Sequence, residues 1–467
     1  MQRRRFEMLL AGFAFTFMGD AGLAVPPPEI LDAMESGLDD ALKIGGDSDK
    51  YPNGAGSSRA ATAFTSHRVA LVSQVPNSAF PSGSSGANEV WGYVSPGGRE
   101  YGILGMRRGT GFVDITDPAN PVIVGDIAGN VNTIWRDMAT YGEYAYIVTD
   151  GSGIGMQVVD LTDIDNGNVS LATTMTQSGF SRAHNVFVNA ESGYAYAVGG
   201  NLAGGGIIVI DVNVPSSPQI VATWNRSSVH DIFVHTFQQG NNAGREIAFC
   251  FAGSRGLKIV DVTDKSNIFL VSTYHYPNRS YCHQGWLSEN EKQLYVNDEG
   301  DELSGNVETT TTYIINVRSL TDPSLSATFT NGQPSVDHNL VLRNGYVFEA
   351  NYSSGLRIYD ATDPNLQTVT EVGYFDTYPA HNSPGYSGAW GVFAEFPSGL
   401  VVVSDQSSGL FVLDPSQAVG NVGGGGDDIP TTSTWGVVVL CLLFLVVGSV
   451  LYDRLRSAGR HALDSTH

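Results

Sequence analysis

The stretch GLKIVDVTDKSN, which begins at Gly256, decides the fold because related stretches recur along the chain. Each copy is a run of β-branched and apolar residues, and most copies end in Asp followed by a turn. The other copies begin at Gly111, Met156, Gly206, Tyr313, Gly355 and Gly409. Seven copies, about 50 residues apart, indicate an array of supersecondary units, and repeats of that length are typical of solenoids and propellers.

Each copy is one part of a larger unit. In the sixth unit, the sequence HNLVLRNGYVFEANYSSGLRIYD, which begins at His338, predicts three short strands with a tight turn at Asn344 and Gly345. A fourth strand, TVTEVGYF, follows the next turn. Four short antiparallel strands joined by Gly, Asn and Pro turns are the pattern of a propeller blade, whereas solenoid repeats are shorter and lack this meander.

The two ends of the array complement each other. The last unit ends at Asp414 without a fourth strand, and VALVSQVP, which begins at Val69, resembles a fourth strand without a unit before it. Closing the ring with this segment removes exposed sheet edges. We therefore predict an all-β, seven-bladed β-propeller of four-stranded antiparallel blades, in which an N-terminal outer strand completes the last blade.

The composition restricts the partners of the protein. The 467 residues include 47 Asp and Glu but only 25 Lys and Arg, so the formal net charge is −22. Binding to phosphate backbones needs clustered basic residues, which argues against a nucleic-acid partner. A soluble, acidic surface exposed outside the cytoplasm is consistent with this balance.

Both ends of the chain carry membrane signals. Arg3, Arg4 and Arg5 precede a short apolar run and then small residues, which is the pattern of a secretory signal peptide. Near the C-terminus, residues 435–452 are almost wholly apolar and three arginines follow, so we expect a transmembrane anchor with its C-terminus inside.

These features predict a linear organisation. The predicted segments are a signal peptide at 1–24, a linker with one short helix at 25–66, the propeller at 67–416, a Gly-rich tether and sorting motif at 417–434, the transmembrane anchor at 435–452 and a basic cytoplasmic tail at 453–467.

Two of the three cysteines lie in the predicted propeller. Cys250 and Cys282 fall in neighbouring repeats, whereas Cys441 lies in the predicted anchor. An exported protein permits a disulfide, but free cysteines are also common as small core residues. The sequence leaves both alternatives open.

The body of the chain resembles the LVIVD-repeat proteins of bacterial surfaces and, in particular, the choice-of-anchor B family. The motifs that carry the resemblance are NEVWGYV at Asn88, WRDMATYGEYAYIV at Trp135, AHNVFVNAESGYAYAVGGN at Ala183, CHQGWLSENEKQLYVNDEGDE at Cys282 and DHNLVLRNGYVFEANY at Asp337. The resemblance implies an exported propeller whose C-terminal anchor varies between family members. It implies no particular biochemical activity.

The C-terminal segment resembles IPTL-type sorting signals of Gram-negative bacteria. The sequence IPTTSTWG at 429–436 is followed by the apolar span and by arginines, although the pattern usually has Leu where Thr432 stands. The resemblance implies recognition by a sorting protease, and the alternative is an uncleaved membrane anchor.

Histidines recur at one position of the predicted blades. The residues that precede or open the seven first strands are Val90, Arg136, His184, His230, His283, His338 and Ala389. First strands line the central channel of a propeller, so equivalent positions converge there. Four consecutive blades therefore place histidine at one mouth of the channel.

Acidic residues are expected at the same mouth, because each second strand runs back and ends near the start of the first. Asp150, Asp298 and Asp405 end second strands, and Asp137 and Asp231 follow the aligned positions. The long loop of the fifth blade adds Glu299, Asp301 and Glu302. We predict a binding site formed by Arg136, Asp137, His184, His230, Asp231, His283 and His338. The candidate metal ligands are His184, His230, His283, His338, Asp150 and Asp298.

The chemistry of these side chains suggests a divalent metal such as zinc, manganese or calcium. An anion held by Arg136 and protonated histidines is a second interpretation. The third is structural, because repeated blades inherit repeated hydrogen bonds that cap strands. The acidic loop NDEGDE, which begins at Asn297, could bind calcium, but we favour a solvated loop.

We expect a surface binding module for an extracellular protein, glycan or small molecule. The alternatives are a metal-assisted hydrolase or lactonase that uses the His and Asp residues at the channel mouth, and a structural protein of the envelope.

Overall fold

Seven antiparallel sheets form the protein in this computed structural model, which describes residues 64–82, 86–363 and 368–420. The described chain begins with β1 (Ser66–His67) and β2 (Ala70–Val75), both of which join blades formed by later residues. The predicted signal peptide, most of the linker and tether, the transmembrane anchor and the tail lie outside these residues.

The first four blades each use four consecutive strands. Blade 1 contains β3 (Ala87–Val94), β4 (Glu100–Met106), β5 (Gly109–Asp114) and β6 (Val122–Ala128). Blade 2 contains β7 (Arg136–Tyr141), β8 (Tyr144–Thr149), β9 (Met156–Asp160) and β10 (Ser170–Met175). Blade 3 contains β11 (Asn185–Asn189), β12 (Tyr194–Val198), β13 (Ile207–Asp211) and β14 (Gln219–Trp224). Blade 4 contains β15 (Asp231–Thr236), β16 (Glu246–Phe251), β17 (Leu257–Asp261) and β18 (Phe269–Tyr274).

The remaining blades complete the ring. Blade 5 contains β19 (Cys282–Leu287), β20 (Gln293–Asp298), β21 (Thr311–Asn316) and β22 (Ser324–Thr330). Blade 6 contains β23 (Asn339–Arg343), β24 (Tyr346–Ala350), β25 (Leu356–Asp360) and β26 (Thr370–Phe375), with β1 as a fifth strand. Blade 7 contains β27 (Ala389–Phe393), β28 (Val401–Asp405), β29 (Gly409–Asp414) and β2.

Helical structure is confined to single turns within the described ranges. Helix α1 (Asp301–Ser304) lies between β20 and β21, and α2 (Ser416–Val419) follows β29. Short 3₁₀ turns lie at Asn77–Ala79, Ile164–Asn166, Gln177–Gly179, Ala203–Gly205 and Gly240–Asn242. No helix in these ranges is long and apolar enough to cross a membrane.

The predicted ring of seven four-stranded blades is confirmed. The first strand of every blade contacts the first strands of both neighbouring blades, including β27 with β3, so the ring is closed around the channel. Strand β2 pairs antiparallel with β29, from Ala70 opposite Asp414 to Val75 opposite Leu410. The N-terminal segment therefore supplies the outer strand that blade 7 lacks. Strand β1, which the sequence analysis did not predict, pairs with β26 of blade 6.

The recurring apolar stretch is the third strand of each blade. Its residues are buried on both faces, as in β13 and β29, because neighbouring blades pack against each face. Fourth strands alternate between exposed and buried residues, as in β14, because they lie at the rim. The uninterrupted apolar run is thus a consequence of burial between two sheets.

The residue that ends each third strand has a structural role. Its side-chain oxygen accepts a hydrogen bond from the backbone N–H two residues later, at 2.9 Å for Asp261 and Thr263 and 3.1 Å for Asn316 and Arg318. The residues that do so are Asp114, Asp160, Asp211, Asp261, Asn316, Asp360 and Asp414. These turns explain why the repeat ends in Asp or Asn.

Both cysteines of the propeller are free thiols, which excludes a disulfide between them. Cys250 lies in β16 and Cys282 opens β19, and both are completely buried. Burial raises the pKa of the Cys282 thiol to about 12 and that of Cys250 further. They are core residues and should react slowly in the folded protein.

Deletion of β2 should destabilise the whole ring. Without this strand, β29 loses its outer partner and the buried Val75 side chain is lost, so we expect the free energy of unfolding to fall by about 4 kcal/mol or more. Urea unfolding of the full chain measures the change. Deletion of β1, which only adds a fifth strand to blade 6, is the matched control and should cost much less. Equal effects of the two deletions would contradict closure by β2.

The two propeller thiols should be protected in the native state. In a Cys441→Ser background, we expect two thiols per chain to react with a disulfide reagent in denaturant, and at least about 100-fold more slowly without it. Spectrophotometric thiol titration measures the number of reactive thiols and the reaction rate with and without denaturant. Absence of reactive thiols in denaturant without reductant would show a disulfide instead.

Candidate functional site

Four imidazole rings form an arc at one mouth of the channel, where the sequence analysis predicted them. The ring centroids of His184 and His230 lie 4.1 Å apart, those of His230 and His283 4.6 Å apart, and those of His283 and His338 4.4 Å apart. His184, His230 and His338 directly precede a first strand, and His283 is the second residue of β19, where the strand register shifts. Ring closure therefore brings residues from four blades into one row. We call these four residues the histidine arc.

Each ring of the histidine arc is anchored through Nδ1. The anchoring distances are 3.0 Å from His184 to Oδ2 of Asp150, 3.0 Å from His230 to the Tyr281 hydroxyl, 3.2 Å from His283 to the His338 carbonyl and 2.6 Å from His338 to the Trp390 carbonyl. A carbonyl oxygen only accepts, so Nδ1 of His283 and of His338 must carry the proton when the ring is neutral. Their Nε2 atoms then present lone pairs.

Glu299, which the sequence analysis placed at the mouth but not among the candidate ligands, faces these lone pairs. Oε2 of Glu299 lies 3.6 Å from Nε2 of His283, and Oε1 lies 3.8 Å from Nε2 of His338. The Tyr352 hydroxyl donates to Oε1 of Glu299 at 2.5 Å. Neither imidazole distance is a hydrogen bond. Lone pairs on both rings therefore face a carboxylate with nothing from the described chain between them.

Burial governs the charge of these groups. Desolvation lowers the pKa of the His230 and His283 imidazoles well below 6.5 and that of His338 to about 3, so all three rings are neutral at pH 7. Desolvation also raises the pKa of Glu299 to about 7. Neutral imidazole is the form that binds metal ions.

Three groups at the centre of the mouth have the geometry of a metal site. The ligand atoms of His230, His283 and Glu299 all lie within 4.8 Å of one another. Nε2 of His230 is buried without a hydrogen-bond partner. Two imidazoles and one carboxylate are a set that zinc commonly uses.

His184 differs from the other three rings because it pairs with a carboxylate. Burial disfavours its charged form, but Asp150, with smaller effects from Asp231 and Asp137, raises the pKa of His184 to about 9. His184 is therefore protonated at pH 7 and forms an ion pair with Asp150. The structure brings both predicted residues to the mouth, but as a charged pair at the end of the arc.

An aromatic surface forms the rest of the mouth. Tyr352 and Trp390 pack with Val336, and Trp135 and Tyr386 pack against them. The ring centroids of His338 and Trp390 lie 4.9 Å apart, so this aromatic surface continues the histidine arc. These residues lie in β27, in the β24–β25 loop and in the segments that precede β7, β23 and β27, so blades 2, 6 and 7 all contribute to the surface.

A second layer of polar groups lies one residue farther along the first strands. Oδ2 of Asp137 accepts from the Val186 N–H at 2.6 Å, and Oδ2 of Asp231 accepts from the Asn185 amide at 3.0 Å. Burial raises the pKa of Asp137 to about 7 and that of Asp231 well above its usual range. Both carboxylates join neighbouring blades, as the structural interpretation of the sequence expected.

Two predicted site residues serve other purposes. The Arg136 side chain turns towards blade 1, where Nε donates to the Met106 carbonyl at 3.1 Å. Asp298 accepts from the Tyr276 hydroxyl at 2.8 Å and from the Tyr281 N–H at 2.6 Å. The Asp298 carboxylate is therefore held by the segment that precedes β19. Nη1 and Nη2 of Arg136 are buried without a hydrogen-bond partner, so an anion held by Arg136 stays a prediction.

The hydrogen bonds of one loop explain why Glu299, and not Asp298, faces the histidine rings. Asp298 is the last residue of β20 and points into the loop at 276–281, so the next side chain points to the opposite side, towards the channel. The sequence contains the signal, because Glu299 follows the predicted strand end directly. Only the loop's hydrogen bonds decide which of the two carboxylates faces the rings.

The stability contribution of the His184–Asp150 ion pair should depend on pH. Because the folded-state pKa of His184 is raised to about 9 from 6.5, its stabilisation is complete below about pH 6.5 and is lost as the pH rises through about 9. We expect Asp150→Asn to lower the free energy of unfolding by about 1–2 kcal/mol at pH 7 and by much less at pH 10.

Urea unfolding of the metal-free protein at both pH values measures the difference. Asp160→Asn is the control, because Asp160 lies in an exposed turn with Thr162 and contacts no histidine there. An Asp150→Asn effect that stays constant up to pH 10 would contradict the ion pair.

Comparisons with known proteins support the repeat and the fold. A family model described as LVIVD repeat matches residues 249–275, which span the end of β16, all of β17 and all of β18. No curated protein matches the chain.

Solved structures resemble this chain over most of its length at low sequence identity. A structure titled Kuenenia stuttgartiensis Hydrazine Synthase aligns with a TM-score of 0.50 and 14% sequence identity. The alignment covers 70% of this chain and 95% of the chain in that structure. A structure of U3-55K aligns with a TM-score of 0.48 and 9% sequence identity, and the alignment covers 74% of this chain and 98% of the U3-55K chain. At such identities the first likeness shows the fold alone. The protein is therefore a seven-bladed β-propeller that carries an LVIVD repeat.

Proposed function

We propose that the protein is an exported surface binding module whose ligand site is the channel mouth, with a transition metal ion, zinc, held by His230, His283 and Glu299. The observation that carries this proposal is the convergence of three ligand atoms within 4.8 Å, each from a different position in blades 4 and 5. A propeller with LVIVD repeats is suited to an interaction role, because its rigid blades present loops around one channel.

The protonation pattern supports a cation at this point. His283 and His338 direct lone pairs at Glu299 over 3.6 and 3.8 Å, and one carboxyl proton can satisfy only one of them. His230 adds a buried Nε2 atom without a partner. A divalent ion bound by His230, His283 and Glu299 would give the Nε2 atoms of both histidines a partner and would compensate the carboxylate.

The spacing also suits zinc. Ligand atoms around a tetrahedral zinc ion lie about 3.3–3.6 Å apart, given metal–ligand distances of about 2.0–2.2 Å. His283 and Glu299 already have this spacing at 3.6 Å. The Nδ1 partners of His230 and His283 are the outer hydrogen bonds that orient metal ligands.

The aromatic surface indicates the class of ligand. Trp390 and Tyr352 are buried in this cluster, whereas Trp135 and Tyr386 are partly exposed, so a ligand would contact the latter two rings. A glycan or small molecule with an oxygen donor would complete the metal coordination while its ring or apolar face packs on these side chains. An extracellular protein that inserts such a group from a loop would use the same contacts.

The proposed location rests on the sequence. The basic and apolar start of the chain, the apolar residues 435–452 and the arginines that follow support export and anchoring through the C-terminal span. The resemblance to the choice-of-anchor B family and the IPTL-type segment at 429–436 support attachment at the bacterial envelope and processing by a sorting protease.

A second candidate function is a metal-assisted hydrolase or lactonase. It is favoured by the number of protein ligands, because a zinc ion with three of them keeps a fourth position for water or substrate. Zinc would supply a water of lowered pKa and polarise a carbonyl, while the chain's own aromatic surface would position the ester. An envelope protein with a purely structural channel is the third candidate.

Metal analysis of the purified full chain tests the proposal. We expect about one zinc ion per chain after dialysis against a metal buffer, and a loss of affinity of at least about 100-fold in His230→Ala and in His283→Ala. The control is His275→Ala, because His275 is exposed and contacts only the Arg255 carbonyl and neighbouring loop atoms outside the mouth. Unchanged zinc content in both site variants, or a zinc-free protein, would favour the structural candidate.

An ester and lactone screen separates the first two candidates. A binding module should hold zinc without turnover, and its affinity for glycans or small molecules should fall when zinc is removed. Turnover that disappears with the metal, returns on reloading and is absent in Glu299→Gln would establish the hydrolase instead.

A further inference from the structure

We propose that Asp301, Glu302 and Asp337 bind one hard divalent cation, calcium, which ties blade 5 to blade 6 beside the channel mouth. Asp301 and Glu302 lie in α1, between β20 and β21, and Asp337 lies two residues before β23. This inference does not depend on the zinc site, because it uses different ligands.

Three carboxylates are gathered out of contact with water. Asp301 and Asp337 are completely buried, and 7% of Glu302 is exposed. Their ligand atoms lie within 4.8 Å of one another. Like charges at such distances in a desolvated site repel strongly, so the arrangement needs a compensating charge.

The described chain does not provide that compensation. Both carboxylate oxygens of Asp337, both of Glu302 and Oδ1 of Asp301 are buried without a hydrogen-bond partner. Oδ2 of Asp301 accepts from the Tyr313 hydroxyl at 2.7 Å. No ion pair among the described residues reaches any of the three carboxylates. Five buried oxygens thus lack a hydrogen-bond partner, and one ligand atom from each residue lies within 4.8 Å of the other two, which favours a bound cation.

Protons are the alternative source of compensation. Burial raises the pKa of Asp301 to about 7, and burial with the Asp301 charge raises that of Glu302 to about 10. A proton shared between these two neighbours satisfies their facing oxygens. Burial also raises the pKa of Asp337 well above its usual range, so a proton can remove its charge. Both of its oxygens would still lack a hydrogen-bond partner, whereas a cation would contact all three side chains at once.

The donor set identifies the class of cation. An all-carboxylate site selects hard ions such as calcium, magnesium and manganese over zinc. Calcium accepts carboxylates at about 2.3–2.6 Å, so oxygens on opposite sides of the ion are about 4.6–5.2 Å apart, a spacing that accommodates the observed cluster. Magnesium retains several waters, which suits a buried cluster of three carboxylates less well.

The position of the cation gives it a structural consequence. Glu302 follows the proposed zinc ligand Glu299 by three residues, and Asp337 immediately precedes His338. A calcium ion would therefore hold the loop of blade 5 against the entry to blade 6 and fix both neighbouring residues of the channel mouth. The ion would hold blades 5 and 6 together at a place where only the backbone links them covalently.

Thermal unfolding of the full chain tests the proposal. In excess EDTA we expect Asp337→Asn to be more stable than the unchanged protein, because it removes one of three repelling charges. With calcium at about 100 times its Kd, the midpoint of the unchanged protein should rise by about 3–6 °C, and that of Asp337→Asn should not rise. Equilibrium dialysis with ⁴⁵Ca should give one ion per chain for the unchanged protein.

Two further variants keep the result interpretable. Glu302→Gln should lose the same ion if Asp337→Asn does not fold, and Asp264→Asn, in an exposed turn, should keep it. His283→Ala should keep the calcium response, which separates this site from the proposed zinc site. A midpoint that calcium, magnesium and manganese all leave unchanged, or a calcium response retained in Glu302→Gln, would overturn the proposal and assign the compensation to protons.

Discussion

The pairing of β2 with β29 is the contact on which the rest of the structure depends. Propeller blades contact only their neighbours, so a ring of seven is stable as a ring only when its last blade is complete and packs on the first. Here five aligned residue pairs between two segments more than 300 residues apart in the chain complete that blade. Ring closure then places β27 against β3 and fixes the positions of all seven first strands around one channel.

Closure also creates the chemical problem at the channel mouth. Equivalent positions of different blades converge, so polar residues that would be separate on an open array become a dense group with little water. Three of the four imidazoles of the histidine arc are neutral, and each of the four Nδ1 atoms has a polar partner. The carboxylates of Asp301, Glu302 and Asp337 lack such anchors, and five of their oxygens are buried without a hydrogen-bond partner.

The two proposed ions would solve this problem in different ways. A zinc ion among imidazoles leaves room for an outside ligand, so it would serve binding. A calcium ion enclosed by three carboxylates has little exposed surface, so it would serve stability. Because Glu299 of the zinc site and Asp301 and Glu302 of the calcium site lie in the same segment after β20, calcium binding would also restrict the position of Glu299.

The fold was predictable from the sequence because the repeat is a local pattern. The spacing of the apolar runs, the Asp or Asn that ends each third strand and the missing fourth strand at Asp414 together determined seven blades and their closure. The row of four histidines was predictable for the same reason, since alignment on the repeat places them at equivalent positions. Only the tertiary structure decided that Glu299 rather than Asp298 faces the rings, that Arg136 turns to blade 1, and that Asp337 joins Asp301 and Glu302. Those outcomes depend on loop hydrogen bonds and on contacts between blades, which leave no periodic trace in a sequence.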